Sequence, residues 1–255
     1  MFVFNTIVVA AHRRSGLRWA LDALRLNSPD INDSFLAMEQ TEPSHDANIP
    51  LGRFRRELLS LPGRVLVSMQ ELPNATYWQG LDERLFARTI LRHSPAIFVH
   101  RDGRDVMVSL YYYMQSISET VRNQSFSRFL RGDPALHPQD SGLSRPGFWA
   151  HHARAWLAQD NLLVISYDDL ETRYAATVHK MTDFLAVRAN ARLQPLNKLN
   201  PPEEPPGLLG RLGVRKPQQP RIGRSGDWRS HFDKGDLAFF KQEAGDMMRR
   251  LGYRD

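Results

Sequence analysis

Cysteine is missing altogether from these 255 residues. Its absence excludes disulfides, thiolate metal sites and a cysteine nucleophile, and it fits a reducing cytoplasm. Long apolar runs are missing as well; none approaches the roughly 18 residues of a membrane-spanning helix. The opening stretch Met1–Ala11 has no basic head, and Asn5 and Thr6 interrupt it. It therefore reads as a buried first strand over Thr6–Ala10, not as a secretory signal. No Gly-Lys-Ser/Thr follows that strand, which argues against an ATP- or GTP-dependent P-loop enzyme. Internal repeats, low-complexity tracts and metal-ligand spacings are also lacking. His151 and His152 are neighbours on an expected helix and point different ways, as packed or solvated histidines do.

What is present is an ordinary globular composition with a basic surplus. Apolar residues make up 42% and charged residues 24%, with a net charge of +6 and a pI near 9.8. Such a surplus suits an anionic partner: a nucleotide, a nucleic acid, an acidic sugar or a membrane surface. Short runs rich in Val and Ile stand at Thr6–Ala10, Arg64–Met69, Ala96–His100 and Leu162–Ser166. Their length and β-branching suit strands of a parallel sheet buried on both faces. Helical spacing marks the intervals. Arg18–Leu26 follows the first strand. Val106, Leu110, Tyr113, Met114 and Ile117 share one face of another helix. Leu170, Tyr174, Val178, Met181 and Leu185 mark a third, with Asp168 or Asp169 near its start, and Leu237, Phe240, Ala244, Met247 and Leu251 the last. Alternating strands and helices predict an α/β layered fold with right-handed crossovers. Glu39–Leu51 reads as a loop, and so does Asn200–Pro220, which holds six prolines and three glycines.

Three segments far apart in the chain each have the chemistry of an anion site. The first, Ala10 to Trp19, is a strand–turn–helix. There the helix N-terminus offers backbone N–H groups, Gly16 permits close approach, Ser15 adds a hydroxyl and Arg14 a fixed charge. The second, Ile97 to Ser109, puts Arg101 at the tip of a strand and Asp102 at a helix cap. Asp105 and Ser109 follow one and two turns later on the same face. The third, Arg221 to Phe232, separates Arg221, Arg224 and Arg229 by Gly223 and Gly226 and adds Asp227 and Trp228. Taken singly, each also reads as an exposed basic turn, an Arg–Asp ladder or a nucleic-acid patch.

Taken together and in this order, the segments resemble the sulfotransferases that use 3′-phosphoadenosine 5′-phosphosulfate. Arg14, Ser15, Gly16 and Trp19 match the family's loop after the first strand. Arg101-Asp-Gly-Arg-Asp-Val-Met-Val-Ser109 matches its central run, Tyr167-Asp-Asp-Leu170 its later one, and Arg221 to Phe232 its closing one. The resemblance spans nearly the whole chain. It implies a P-loop-like three-layer α/β/α fold with a central parallel sheet in a single domain, 1–255. Residues 200–232 then form a lid loop and nucleotide-binding segment. It further implies that Arg14, Ser15, Gly16, Leu17 and Arg18 hold the 5′-phosphosulfate and that Trp19 and Tyr167 lie near adenine. Arg101, Ser109, Arg221, Ile222 and Gly223 then hold the 3′-phosphate. The chain departs from the family where Arg14 replaces a lysine, Leu17 and Arg18 replace threonines and Ile222 replaces a lysine.

Sulfuryl transfer needs a base, an in-line acceptor and neutralisation of the leaving phosphate. It requires no metal. The family's histidine base falls, in this sequence, on Glu71 of Gln70-Glu71-Leu72-Pro73. We therefore expect Glu71 as base, with Arg14 and Ser109 stabilising the leaving group. His12 and His100, both at strand ends, are the other candidate bases. The expected partner is a small-molecule acceptor, its pocket lined from among Tyr77, Trp78, Tyr111, Tyr112, Phe148 and Trp149. The sequence leaves room for a homodimer and predicts neither a membrane span nor nucleic-acid binding. Three other functions stay open: a phosphoryl-transfer kinase, a nucleic-acid binder and a non-catalytic 3′-phosphonucleotide-binding protein.

Overall fold

The computed structural model describes residues 5–38, 51–73, 81–134, 142–196 and 225–254. Five short segments form one sheet: Thr6–Ala11 (β1), Ile31–Ala37 (β2), Arg64–Met69 (β3), Ala96–His100 (β4) and Leu162–Ser166 (β5). Every pairing is parallel and the order is β2-β3-β1-β4-β5. The four sequence-predicted strands are all present. The sequence reading missed β2, whose INDSFLA carries polar residues through its middle and a register shift between Ile31 and Phe35. Among the described residues it lies at the sheet edge, where one flank has no neighbouring strand and the demand for apolar β-branched residues is weaker.

Alternation along the strands builds a core on each face. On β1, Val8 and Ala10 face one way and Ile7, Val9 and Ala11 the other; β4 repeats this with Ala96 and Phe98 against Ile97 and Val99. The second face is covered by Leu17–Asn27 (α1), Tyr167–Thr172 (α8) and Tyr174–Leu185 (α9). The first is covered by Leu51–Ser60 (α2), Leu81–His93 (α3), Gly103–Ile117 (α4), Phe126–Arg131 (α6), Arg145–Trp156 (α7) and Lys234–Arg250 (α10). A short helix, Glu119–Arg122 (α5), joins α4 to α6. The result is three layers. Phe98 stacks on Trp156 with ring centroids 6.2 Å apart and planes 8° from parallel. Truncating such a buried aromatic ring costs about 3–5 kcal/mol.

Two helix expectations change in detail. The buried face of α4 runs through Val106, Met107, Val108 and Tyr111, whereas Ile117 is 36% exposed. The cap carboxylate Asp102 accepts from the Arg104 amide as expected. The helix expected to begin near Asp168 is two helices broken at Arg173, and its cap is Ser166, whose hydroxyl accepts from the Asp169 amide.

Chain order reverses at β1, which lies between β3 and β4. In open α/β sheets the crevice at such a reversal, outside the carboxyl ends of the strands, is where ligands bind.

Candidate functional site

The turn after β1 delivers the first group of residues. Ser15 N–H bonds to the His12 carbonyl at 3.0 Å, and Arg14 and Gly16 take positive φ values of 68° and 96°. The α1 ladder begins with Ala20 N–H on the Gly16 carbonyl, so the amides of Leu17 and Arg18 open toward the loop. Gly16 is required twice over. Its φ lies in the left-handed region, and a Cβ there would stand 2.5 Å from Cδ2 of Tyr167.

Strand register delivers the rest. His100 pairs with Ser166, so the next residues, Arg101 and Tyr167, emerge side by side. The Arg101 guanidinium lies over the Tyr167 ring, 4.4 Å from its centroid, and the Trp19 ring lies 5.2 Å from the Tyr167 ring, tilted by 59°. Arg101 Nη1 reaches the Arg14 carbonyl at 3.5 Å. Arg14 Nε in turn donates to Ser109 Oγ at 3.2 Å, and its guanidinium faces Tyr113 at 5.1 Å. Residues 14, 16, 19, 101, 109 and 167 therefore form one contiguous group at the β1–β4 reversal.

The electrostatics of this group call for an anion. Burial, aided by the charge of Arg101, pushes Arg14 below the ordinary arginine range. Arg101 is 4% exposed, and among the described residues its Nε has no hydrogen-bond partner; the buried Ser15 hydroxyl has none there either. Two guanidinium groups packed together beside unmatched donors are costly unless a polyanion sits among them. The donor set fits a phosphate-rich ligand.

The third segment arrives where the second begins. Asp105 accepts from the amides of Gly226, at 2.7 Å, and Trp228, at 3.0 Å, fixing the 3₁₀ turn Asp227–Ser230 against α4. Gly226 has φ 85° there. Ser225 adds hydrogen bonds to Asp168 and Glu171 on α8. Burial raises the Asp105 pKa, and the two amides and Arg101 oppose that. Arg221, Ile222, Gly223 and Arg224 lie outside the described residues, so the lid expected over 200–232 is described only from Ser225 onward.

Other expected residues sit elsewhere. Arg18 turns from the loop to Asp22, with Nε 2.9 Å from its Oδ2, and to the Phe35 ring. His100 is held by Tyr253, its Nδ1 2.9 Å from the hydroxyl oxygen. Glu71 and His12 come together instead. Ala10 pairs with Met69, so the residues two further on, His12 and Glu71, leave neighbouring strands on the same face. Glu71 is 2% exposed and stands 3.5 Å from the Arg13 guanidinium. His12 Nδ1 is 2.9 Å from the Arg13 carbonyl oxygen, and its ring packs near Phe148 and His152. Burial lowers its pKa to about 4, so it is neutral at neutral pH.

Of the expected acceptor-pocket aromatics, Phe148 borders this corner with Leu72. Trp149 lies in the main core, Tyr111 packs on Phe129, and Tyr112 is exposed. Tyr77 and Trp78 lie outside the described residues. The sequence reading missed Arg13 and the roles of His152 and Trp156. The spacing of Phe148, His152 and Trp156, one turn apart each, was the available signal.

Comparison with known proteins agrees with this geometry. The sulfotransferase domain model matches residues 5–252. The chain belongs to the sulfotransferase family. Among curated sulfotransferases, it is 25% identical over 271 residues to sulfotransferase 2B1 of Rattus norvegicus, covering 97% of this chain and 72% of the relative. To sulfotransferase 2B1 of Mus musculus it is 29% identical over 252 residues, covering 89% and 67%. Among solved structures, this sulfotransferase superposes on mouse sulfotransferase SULT7A1 complexed with PAP with a TM-score of 0.63. That match has 17% identity and covers 96% of this chain and 84% of the other; at that identity the likeness establishes the fold. As a sulfotransferase, the chain is an enzyme with a P-loop-like sheet, and the kinase and nucleic-acid-binding functions left open by the sequence are not favoured. No helix among the described residues is long and apolar enough to cross a membrane.

Proposed function

We propose that this sulfotransferase moves the sulfuryl group of 3′-phosphoadenosine 5′-phosphosulfate to a hydroxyl or amine of a small-molecule acceptor. The whole chain acts as one domain. The observation that carries this reading is the group at the strand reversal made by buried Ser15 and Arg101 with half-buried Arg14 and Ser109, cationic and short of acceptors among the described residues.

Ser15 and the amides of the α1 turn take the 5′-phosphosulfate, with Gly16 giving the approach. Arg101 and Ser109 take the 3′-phosphate, joined by Arg221 and Gly223. Trp19 and Tyr167 offer ring faces to adenine. Glu71 removes the acceptor proton as the acceptor oxygen or nitrogen attacks sulfur. The bond from sulfur to the bridging oxygen breaks, and its electron pair stays on the 5′-phosphate. Arg14 faces that new charge and Ser109 holds Arg14 in place. Because arginine keeps its proton, Arg14 acts by charge and not as an acid. The Arg13 guanidinium, 3.5 Å from Glu71, holds that carboxylate in place.

His12 supports a second assignment of the base. The Arg13 carbonyl can only accept, so the proton sits on Nδ1 and the other ring nitrogen of His12 carries a lone pair. His100, bonded to Tyr253, has no such support. A cytoplasmic location is part of this proposal, and a chain without cysteine fits a reducing compartment.

Calorimetric titration with 3′-phosphoadenosine 5′-phosphate, AMP and ATP tests the nucleotide, and an acceptor screen with labelled donor tests the transfer. Glu71→Gln is expected to abolish turnover while leaving nucleotide affinity intact. Preference for AMP or ATP would end the nucleotide assignment, and full turnover in Glu71→Gln would pass the base to His12.

A further inference from the structure

Glu71 is carried by a turn beyond the end of β3, and a turn does not by itself hold a base to the sub-ångström placement that proton transfer demands. Helix α7 supplies the hold. His152 Nε2 lies 2.9 Å from the Gln70 carbonyl oxygen, and Trp156 Nε1 donates to the Glu71 carbonyl at 3.0 Å. A carbonyl only accepts, so the His152 proton resides on Nε2. One turn earlier, Phe148 packs with Leu72. Three side chains spaced by four thus take hold of three successive residues, 70, 71 and 72. Both donors are fully buried, at 0% exposure. Trp156 is further held against Phe98, and His152 against His12 and Phe98. Burial, with His12 adding to it, keeps His152 well below the usual histidine range, so it stays a neutral donor. The Glu71 side chain extends from this clamped backbone to Arg13.

We propose that His152 and Trp156 are positioning residues for the transfer: by fixing two consecutive carbonyls they hold the Glu71 carboxylate where the acceptor must meet it. This inference rests on Glu71 being the base.

The test compares His152→Leu and Trp156→Phe, each of which removes one N–H donor while keeping apolar bulk, with His152→Gln, which keeps an N–H of similar reach. Each full-length variant is assayed with labelled donor and the best acceptor among 2-naphthol, cyclohexanol, glucose and benzylamine. Affinity for 3′-phosphoadenosine 5′-phosphate is measured alongside. The expected result is a kcat roughly 10- to 100-fold lower in His152→Leu and Trp156→Phe, with nucleotide Kd and donor KM unchanged and kcat largely restored in His152→Gln. Parent-like kcat in both deletion variants would overturn the proposal. So would loss of nucleotide binding in both, which would make the two donors supports of the core alone. Glu71→Gln, run in parallel, separates the two readings. If it stays active, the base assignment fails; if it is inactive while the deletion variants keep parent kcat, only the positioning fails.

Discussion

Arg14 and Ser109 meet across 95 residues of sequence, the arginine Nε donating to the serine hydroxyl at 3.2 Å, and Arg101 reaches the backbone of the same Arg14. Because Arg101 has an unpartnered, buried Nε on one side and the Tyr167 ring beneath it, a phosphate there would gain a charge-assisted bond. Arg101→Ala is expected to weaken 3′-phosphoadenosine 5′-phosphate by about 1.5–3 kcal/mol, roughly 10- to 150-fold. The 3′-dephosphorylated nucleotide should lose far less. Calorimetry with the two ligands checks this, and equal losses would remove Arg101 from the 3′-phosphate.

Gly16 gives a separable test of the loop. Gly16→Ala meets two obstacles, a φ of 96° and a Cβ placed 2.5 Å from the Tyr167 ring. The backbone obstacle costs about 1–3 kcal/mol, and the ring contact adds to it. Adding Tyr167→Ala to Gly16→Ala removes the ring and leaves the backbone strain. Denaturant unfolding of the four members of this cycle should therefore show a stabilising coupling between the two substitutions. Strict additivity would mean that the ring and the loop do not bear on each other.

His100 contributes to the pH dependence of the fold. Burial lowers its pKa to about 4, while an unfolded histidine titrates near 6.5. Between those values the unfolded chain binds the proton and the folded chain does not. Stability is therefore complete above about pH 6.5, falls as pH drops toward 4, and the full span is worth about 3 kcal/mol. His12, lowered for the same reason, adds a similar slope. Unfolding free energies at pH 7.5, 6 and 5 should show the decline, and His100→Asn, which can still bond the Tyr253 hydroxyl, should make it shallower by the His100 share while the shares of His12 and His152 stay. An unchanged slope in that variant would place the titration elsewhere.

Much of this could be read from the chain because the parallel sheet writes itself plainly. Strands β1, β3, β4 and β5 are apolar on both faces, and each of the three segments read as anion sites stands directly after a strand or beside a glycine. Edge strand β2 escaped because Asn32, Asp33 and Ser34 break the apolar run that central strands need. Arg18 looked like part of the loop by position, yet Asp22 lies one helical turn away and takes it. The grip of α7 on Glu71 was hidden for a different reason. It joins side chains to backbone carbonyls 82 and 85 residues away, and no local pattern carries that information.

Asp105 shows how a residue read as part of the anion-binding face has another task. Its two oxygens accept from the Gly226 and Trp228 amides, and Trp228 is itself covered by Arg104, 4.0 Å from the ring centroid. The carboxylate is thus the anchor through which the closing segment meets α4. Asp105→Ala leaves both amides without that acceptor, a loss of about 1–3 kcal/mol for the buried one. Asp105→Asn keeps one carbonyl oxygen and should lose only part of that. Amide exchange at residues 226 and 228 should accelerate in Asp105→Ala while the β1 and β4 amides keep their protection, since local opening need not unfold the sheet. Nucleotide affinity should fall with it, because Arg221 and Gly223 precede the anchored turn by only a few residues. If exchange at 226 and 228 matches the parent, the turn is held by Trp228 packing and the anchoring role of Asp105 is wrong.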